Sequence, residues 1–500
     1  MKRNSFFKNT MFILIISLII KILGLVNKII TTKILGVEGM SLYVLTMPTI
    51  ILLTSISSLS LNSVMSKLIS ENLVTKKYSN IKLITSGIIS SLVISLVTII
   101  ILLIIINPLT HSLLNNVNLF FPILTSIVLI PLVGISDCLR GYFNGIKSMK
   151  HASISTLIEQ ITRIISTTFF IILTVNSNII LSVSLCVVGL AIGEISSILY
   201  TIVILKKHPI INNNTSNKAI KAVLKEAIPT TLSRLISSIT HFLEPIIYTN
   251  VLLFLLYDKE YIHLTYTTIT AYVIPFVTLS SFVSTAVATS IIPAISENFT
   301  KNNNKGIHYY IDKAITFALV PGLFSCIIFY LFSEEYLNLL FSTSNGVEII
   351  KYTVLLTIPY YLQMPFTSVL QSIGKTKQLF ILSVILNIIK LLLIATLSFI
   401  PNINVFSIIT SLIIIINLDI LIMYIYIKKV LGYKININEM LSIILQFIFV
   451  FILTYFLKLI NIHYLICTII SILITIISSV KLNLLNKEQI LSIVRKKNLD

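Results

Sequence analysis

Fourteen apolar segments of about 20 residues or more run through the chain. They lie at 10–32, 42–66, 83–106, 117–139, 152–175, 179–205, 226–250, 264–290, 314–332, 349–372, 379–400, 404–427, 438–457 and 462–480. A helix of that length covers a hydrocarbon core of roughly 30 Å. Lipid offers the backbone no hydrogen-bond partners, so each segment must satisfy its own amides and carbonyls as a helix. The pattern predicts an all-α polytopic membrane protein of 14 transmembrane helices. The short alternating strands of a membrane barrel are absent from it.

The polar stretches between segments alternate in charge. Of the 37 Lys and Arg, 28 fall at the N-terminus, in every second loop and in the C-terminal tail. The opposite loops hold three, Lys33, Lys259 and Lys458, and the segments hold Lys21, Lys28, Arg163, Arg234, Lys351 and Lys390. Basic residues collect on the cytoplasmic side, so both termini are expected in the cytoplasm and the chain in the cell membrane. The net charge of +19 therefore reads as orientation and contact with anionic membrane lipids, not nucleic-acid binding. The start, Lys2, Arg3 and Lys8 before an apolar run, is like a signal sequence. The run continues past Lys21 without a small-residue cleavage site, so it is read as an uncleaved first helix. Cys138, Cys186, Cys326 and Cys467 stand singly with no metal or redox spacing, and neither cofactor nor metal is expected.

The chain also repeats itself. Met47-Pro48-Thr49 … Ser70-Glu71-Asn72 in the second segment is echoed by Ile274-Pro275-Phe276 … Ser296-Glu297-Asn298 in the eighth. A similar shift sets Arg163 opposite Lys390. The expected organisation is an N-terminal six-helix lobe (1–205), a cytoplasmic linker (206–225), a C-terminal six-helix lobe (226–428), and two further helices with a basic tail (429–500). Copies with an even number of helices share orientation and enclose a central cavity about an axis along the membrane normal, as in alternating-access transporters.

Ionisable residues within such segments point to that cavity, since a charge at the helix centre costs about 2.5–3.5 kcal/mol. The seventh segment is richest: Arg234 and His241 are seven apart on one helical face, with Glu244 beside them. Glu159 and Arg163 stand at i, i+4, close enough to pair. Lys21 and Lys28 mark the first segment, Lys390 the eleventh, Glu194 the sixth and Asp419 the twelfth. Arg234, Arg163, Lys21, Lys390 and His241 are the candidate substrate-binding residues. They form a cationic cavity suited to an anion such as pyrophosphate, for which Arg offers a bidentate fork and Lys a point charge. Glu159 and Glu244 are the candidates for pairing with those cations or for coupling.

Leu139-Arg140-Gly141-Tyr142-Phe143-Asn144-Gly145 and Ile158-Glu159-Gln160-Ile161-Thr162-Arg163 resemble the multidrug/oligosaccharidyl-lipid/polysaccharide exporter superfamily, in particular its stage V sporulation protein B-like branch. Lys21-Ile22-Leu23-Gly24, Pro229-Thr230-Thr231-Leu232-Ser233-Arg234, Phe242-Leu243-Glu244-Pro245 and Pro293-Ala294-Ile295-Ser296-Glu297 fit the same family. The resemblance implies a two-lobed flippase for an undecaprenyl-pyrophosphate-linked saccharide, lipid II, serving spore-cortex peptidoglycan synthesis and its machinery. The vegetative lipid II flippases carry several cavity arginines. Here Lys21 takes a basic position, but Asn27 stands where another Arg is expected.

The alternative within the superfamily is a cation-coupled multidrug exporter, which would recruit Glu159, Glu194, Glu244 and Asp419. An enzyme would need acid/base residues displayed beyond the membrane. The short opposite loops, 257–263 and 333–346, have no such constellation, and no glycine-rich phosphate loop is visible. A scaffold for cortex assembly is a further reading, which costly intramembrane charges disfavour.

Overall fold

The computed structural model describes residues 3–146, 148–207, 219–279, 281–482 and 484. They are helical, without a strand among the described residues. Two compact units divide them, one holding the chain to Thr267 together with Asn387–Ile408, the other Thr268–Leu386 and Ile409 onward.

The first unit is built on α1 (Arg3–Ser57), α2 (Leu61–Thr75), α3 (Asn80–Pro108), α4 (Phe120–Gly145), α5 (Met149–Thr174), α6 (Ile179–Lys207), α7 (Ala219–Phe254) and α8 (Lys259–Thr267). The second is built mainly on α9 (Ile274–Thr278), α10 (Ser281–Thr300), α11 (Asn304–Leu331), α12 (Ser333–Phe341), α13 (Val347–Leu356), α14 (Tyr360–Ser372), α16 (Ser407–Leu431), α17 (Ile437–Leu459) and α18 (Tyr464–Lys481). The helix α15 (Thr376–Leu397) contributes to both. The expected linker lies largely at 208–218, outside the described residues. Packing divides the chain after Thr267 because α7 is tied to the N-terminal helices. Ser238 Oγ donates to Ser55 Oγ at 3.0 Å, and Lys67 pairs with Glu226 at 2.6 Å.

Ten stretches among the described residues are long and apolar enough to cross a membrane, and a bent pair, Lys259–Thr278 with Ser281–Thr300, makes an eleventh. The expected fourteen are compatible with this. Leu18–Leu73 covers the first two, which join at Gly36, where φ is 67° and ψ −168°. The seventh is α7, which carries Glu226, Arg234, His241 and Glu244. The tenth is split between α13 and α14 at Thr357-Ile358-Pro359.

The second segment is interrupted as well. Helix α1 stops at Ser57, Leu59 and Ser60 take left-handed φ values of 48° and 49°, and α2 resumes at Leu61. The freed Ser57 carbonyl accepts from Ser91 Oγ, and Ser57 Oγ ties the break to α4 by donating to the Ile130 carbonyl, both at 2.9 Å. Broken backbone at membrane depth persists only where protein supplies such partners.

The Ser-Glu-Asn repeat does the same work twice. Asn72 Nδ2 donates to the Tyr78 carbonyl at 2.7 Å while its Oδ1 accepts from Tyr78 N at 2.8 Å. Asn298 Oδ1 accepts from Asn303 Nδ2 at 2.7 Å. Each asparagine bridges the turn into the following helix.

The Arg-Gly-Tyr-Phe-Asn-Gly segment of α4 packs against α2. A Cβ on Gly141 would lie 2.7 Å from the carbonyl oxygens of Leu61 and Asn62, so only glycine permits this approach. Gly141→Val should cost about 1–3 kcal/mol by overpacking. Thermal unfolding of the purified protein in detergent reads this directly, and a wild-type melting temperature would refute the contact.

Candidate functional site

Three helices bring their charges together in the first unit. A Cβ on Gly193 would lie 3.1 Å from the Glu159 carbonyl oxygen, so α6 runs close against α5 there and delivers Glu194 to the pair on α5. From α4, Arg140 Nη2 donates to Glu159 Oε2 at 2.6 Å, to Glu194 Oε2 at 3.1 Å and to Ser197 Oγ at 2.9 Å. Arg163 donates to Glu159 Oε1 and stands 3.8 Å from Glu194 Oε1. Ser136 Oγ donates to Glu194 Oε2 at 2.6 Å, and the hydroxyls of Ser155 and Ser197 are 2.6 Å apart. Two guanidinium groups thus balance two carboxylates whose side chains are 4% and 6% exposed. Buried charge is tolerated only when paired and hydrogen-bonded. One atom stays unmatched: Arg163 Nε is buried with no hydrogen-bond partner among the described residues.

A second group joins α7 to α15. Lys390 Nζ donates to Glu244 Oε2 at 2.9 Å, and His241 Nδ1 lies 3.6 Å from the same oxygen. Lys390 and Glu244 are nearly buried, whereas the His241 side chain is 60% exposed. Arg234, two turns before His241, is exposed, and its guanidinium makes no hydrogen bond or ion pair among the described residues, while its carbonyl accepts from Ser238 Oγ at 3.5 Å. It lies within electrostatic range of Asp137 on α4, as do Arg140 and Glu159.

The candidate residues are therefore not equivalent. Arg163 and Lys390 are each bonded to carboxylates, Glu159 and Glu244 being their partners, while Arg234 and Lys21 are exposed. Sequence reasoning missed Arg140: with the fourth segment ended at 139 it counted among the loop cations. Helix α4 continues to Gly145, and Arg140 is 9% exposed. The signal was available in the motif, where an arginine beside a glycine-lined helix face must turn towards other helices. No group of three or more His, Cys, Asp or Glu able to hold a metal ion occurs among the described residues.

Known proteins match along most of the chain. The profile described as "Polysaccharide biosynthesis protein" matches residues 6–299, and one described as MatE matches residues 260–396. Stage V sporulation protein B of Bacillus subtilis (strain 168) is 25% identical over 387 residues, 75% of this chain and 74% of its own. Sporulation protein YkvU of the same organism is 23% identical over 388 residues, 75% and 84% of the two chains. Among solved structures, the lipid II flippase MurJ in its inward closed conformation superposes with a TM-score of 0.66 at 20% identity, covering 93% of this chain and 97% of that one. A multidrug resistance MATE family transporter of the MOP superfamily, inward-facing, gives 0.63 at 14% identity, covering 83% and 94%. With more than half of its 500 residues inside the first profile, and the fold of both solved transporters, the chain belongs to the polysaccharide biosynthesis protein family.

Proposed function

We propose that the protein is a flippase that carries an undecaprenyl-pyrophosphate-linked saccharide, lipid II for spore-cortex peptidoglycan, across the cell membrane by alternating access and without covalent chemistry. The names of two relatives support this reading, stage V sporulation protein B in sequence and the lipid II flippase MurJ in fold. Both termini lie in the cytoplasm, and the product is handed to the cortex-synthesis machinery outside. The two lobes of the repeat, 1–205 and 226–428, rock about the cargo.

One observation carries the reading. Arg234 is an exposed guanidinium without an ion pair among the described residues, on a membrane helix where an uncompensated charge costs about 2.5–3.5 kcal/mol. A pyrophosphate is the partner that its planar fork fits. In this reading Arg234 takes the headgroup first, with Lys21 and His241 nearby in role. Arg163 joins when Glu159 releases it while keeping Arg140, and Lys390 when Glu244 lets go. At the opposite loops, a cavity of about 530 Å³ is lined by Glu38, Asn116, Asp258, Glu260 and His263, with Lys259 as its one cation. That negative excess disfavours an anionic headgroup and suits release.

The test is the accessibility of lipid II to a degrading enzyme added outside sporulating cells. Cells lacking the protein should keep lipid II protected, and the wild type should restore cleavage. Arg234→Ala should lower restoration about ten- to hundred-fold, the size of a lost charged hydrogen-bonding contact, with protein levels near normal. Full activity of an inserted Arg234→Ala protein would remove the cavity assignment. The MatE match over residues 260–396 favours a second reading, a cation-coupled exporter of small solutes. Unchanged lipid II accessibility together with lost drug efflux in the deletion would select it.

A further inference from the structure

A second cavity, of about 520 Å³, lies at the basic-loop end of the first unit, between the last turns of α2, the turn at 76–79 and the first turns of α7. It falls within the range of about 300–1,000 Å³ usual for small-molecule pockets. Lys77, Lys221 and Lys225 line it, with Tyr78, Glu71 and Glu226. Glu226 is already engaged by Lys67 at 2.6 Å, so the cavity is left with an excess of positive charge. Lys221 and Lys225 are exposed and have no ion pair among the described residues.

The rim is pre-organised. Asn72 holds Tyr78 by both backbone groups, and Lys76 takes a left-handed φ of 46°, which fixes the turn that presents Lys77. Lys77 Nζ stands 5.6 Å from the Tyr78 ring centroid, so the ammonium is held beside the ring at the rim. In the corresponding turn of the repeat Asn298 Oδ1 accepts from the side chain of Asn303, and Lys301 pairs with Glu297 at 2.5 Å. The cluster of three lysines around one cavity belongs to the first copy.

Exposed apolar side chains occur at the same helix ends. Leu73, Ile81 and Ile220, neighbours in sequence of the lining residues, are 45%, 38% and 44% exposed. A free phosphate gains nothing from exposed apolar side chains at these helix ends, whereas a lipid can place its acyl chains on them while its headgroup meets the ammonium groups. Basic pockets between membrane helices on the cytoplasmic side bind anionic headgroups in this manner.

We propose that this cavity is a binding site for the phosphoryl headgroup of a lipid in the leaflet on the basic side, with Lys77, Lys221 and Lys225 as its contacts. Its source is either an anionic membrane phospholipid or the undecaprenyl-pyrophosphate end of a cargo molecule before it crosses. Both present the same chemistry, and Arg234, nine residues beyond Lys225 on α7, does not line the site.

The experiment measures lipid retention by native mass spectrometry on the purified full-length protein, titrated with phosphatidylglycerol and, separately, with phosphatidylcholine. Each lysine contributes about five-fold in affinity for an anionic headgroup, so the Lys77→Gln/Lys221→Gln/Lys225→Gln variant should bind phosphatidylglycerol at least about ten-fold more weakly. Phosphatidylcholine binding should be unchanged. Lys301→Gln/Lys305→Gln, with charge removed elsewhere on the same side, should behave as wild type and controls for a general loss of charge. Adding undecaprenyl pyrophosphate assigns the source: competition with phosphatidylglycerol identifies the cargo, and absence of competition identifies the membrane lipid. Equal phosphatidylglycerol retention by the wild type and the triple variant would overturn the site. The readout needs no transport, so it fails or succeeds independently of the flippase reading.

Discussion

Arg140→Met should yield little folded protein. Methionine keeps much of the volume and removes the charge, leaving Glu159 and Glu194 with Arg163 as their remaining cation. The bonds at 2.6, 3.1 and 2.9 Å to Glu159, Glu194 and Ser197 vanish together. Breaking a buried ion pair by removing one partner costs about 3–5 kcal/mol, because the other charge stays behind. Set against a total stability of about 5–15 kcal/mol, that is a large share. The measurement is the monodisperse fraction after heating in detergent, compared across variants. Arg140→Met/Glu194→Met removes one charge of each sign and leaves the Arg163–Glu159 pair intact, so it should recover at least half of the lost stability. Wild-type melting of Arg140→Met would mean that the network is not a source of stability. The contrast with Arg234 is instructive: an exposed, unpaired guanidinium can be removed without stranding a buried carboxylate.

That contrast marks where the sequence was legible. Apolar runs located the membrane helices, since lipid leaves a long hydrophobic segment no other hydrogen-bonded conformation. Their breaks were less visible. Ser57–Leu61 and Thr357–Pro359 interrupt segments whose serines and proline are also compatible with a continuous or merely kinked helix, and the break at Ser57 depends on distant side chains such as Ser91 that receive its freed backbone. The same holds for charge. Glu159 and Arg163 announce themselves at i, i+4, a spacing fixed by helix geometry. Glu194 stands 31 residues beyond Arg163, and its role depends on the approach of α6 at Gly193. Arg140 was hidden by its place beside a polar stretch, where a loop arginine and a buried one look alike in one dimension. Which of the cations inside the segments have carboxylate partners is a property of packing.

The pair formed by Lys390 and Glu244 offers the second large effect, and a way to separate structural from transport roles. Their side chains are 12% and 7% exposed, and their partnership at 2.9 Å joins residues 146 positions apart. Lys390→Met should lower stability by about 3–5 kcal/mol, because Glu244 keeps its charge in a buried place with only His241, 3.6 Å away, to answer it. Lys390→Met/Glu244→Leu replaces both charges by apolar groups, and such replacements are often neutral or stabilising, so the double variant should melt within about 1 kcal/mol of wild type. Melting in detergent measures both, and two additive losses would show that the residues do not act as a pair. Transport then divides the remaining alternatives. If the bridge serves only to hold α7 against α15, the double variant should flip lipid II at the wild-type rate. If Lys390 must leave Glu244 for the headgroup during each cycle, the double variant should be stable yet transport about ten-fold or more slowly, the size of a lost charged contact. A stable, inactive double variant is the outcome that a headgroup role for Lys390 requires, since a cation bonded to a carboxylate in this state reaches an anionic cargo only by exchanging one partner for the other.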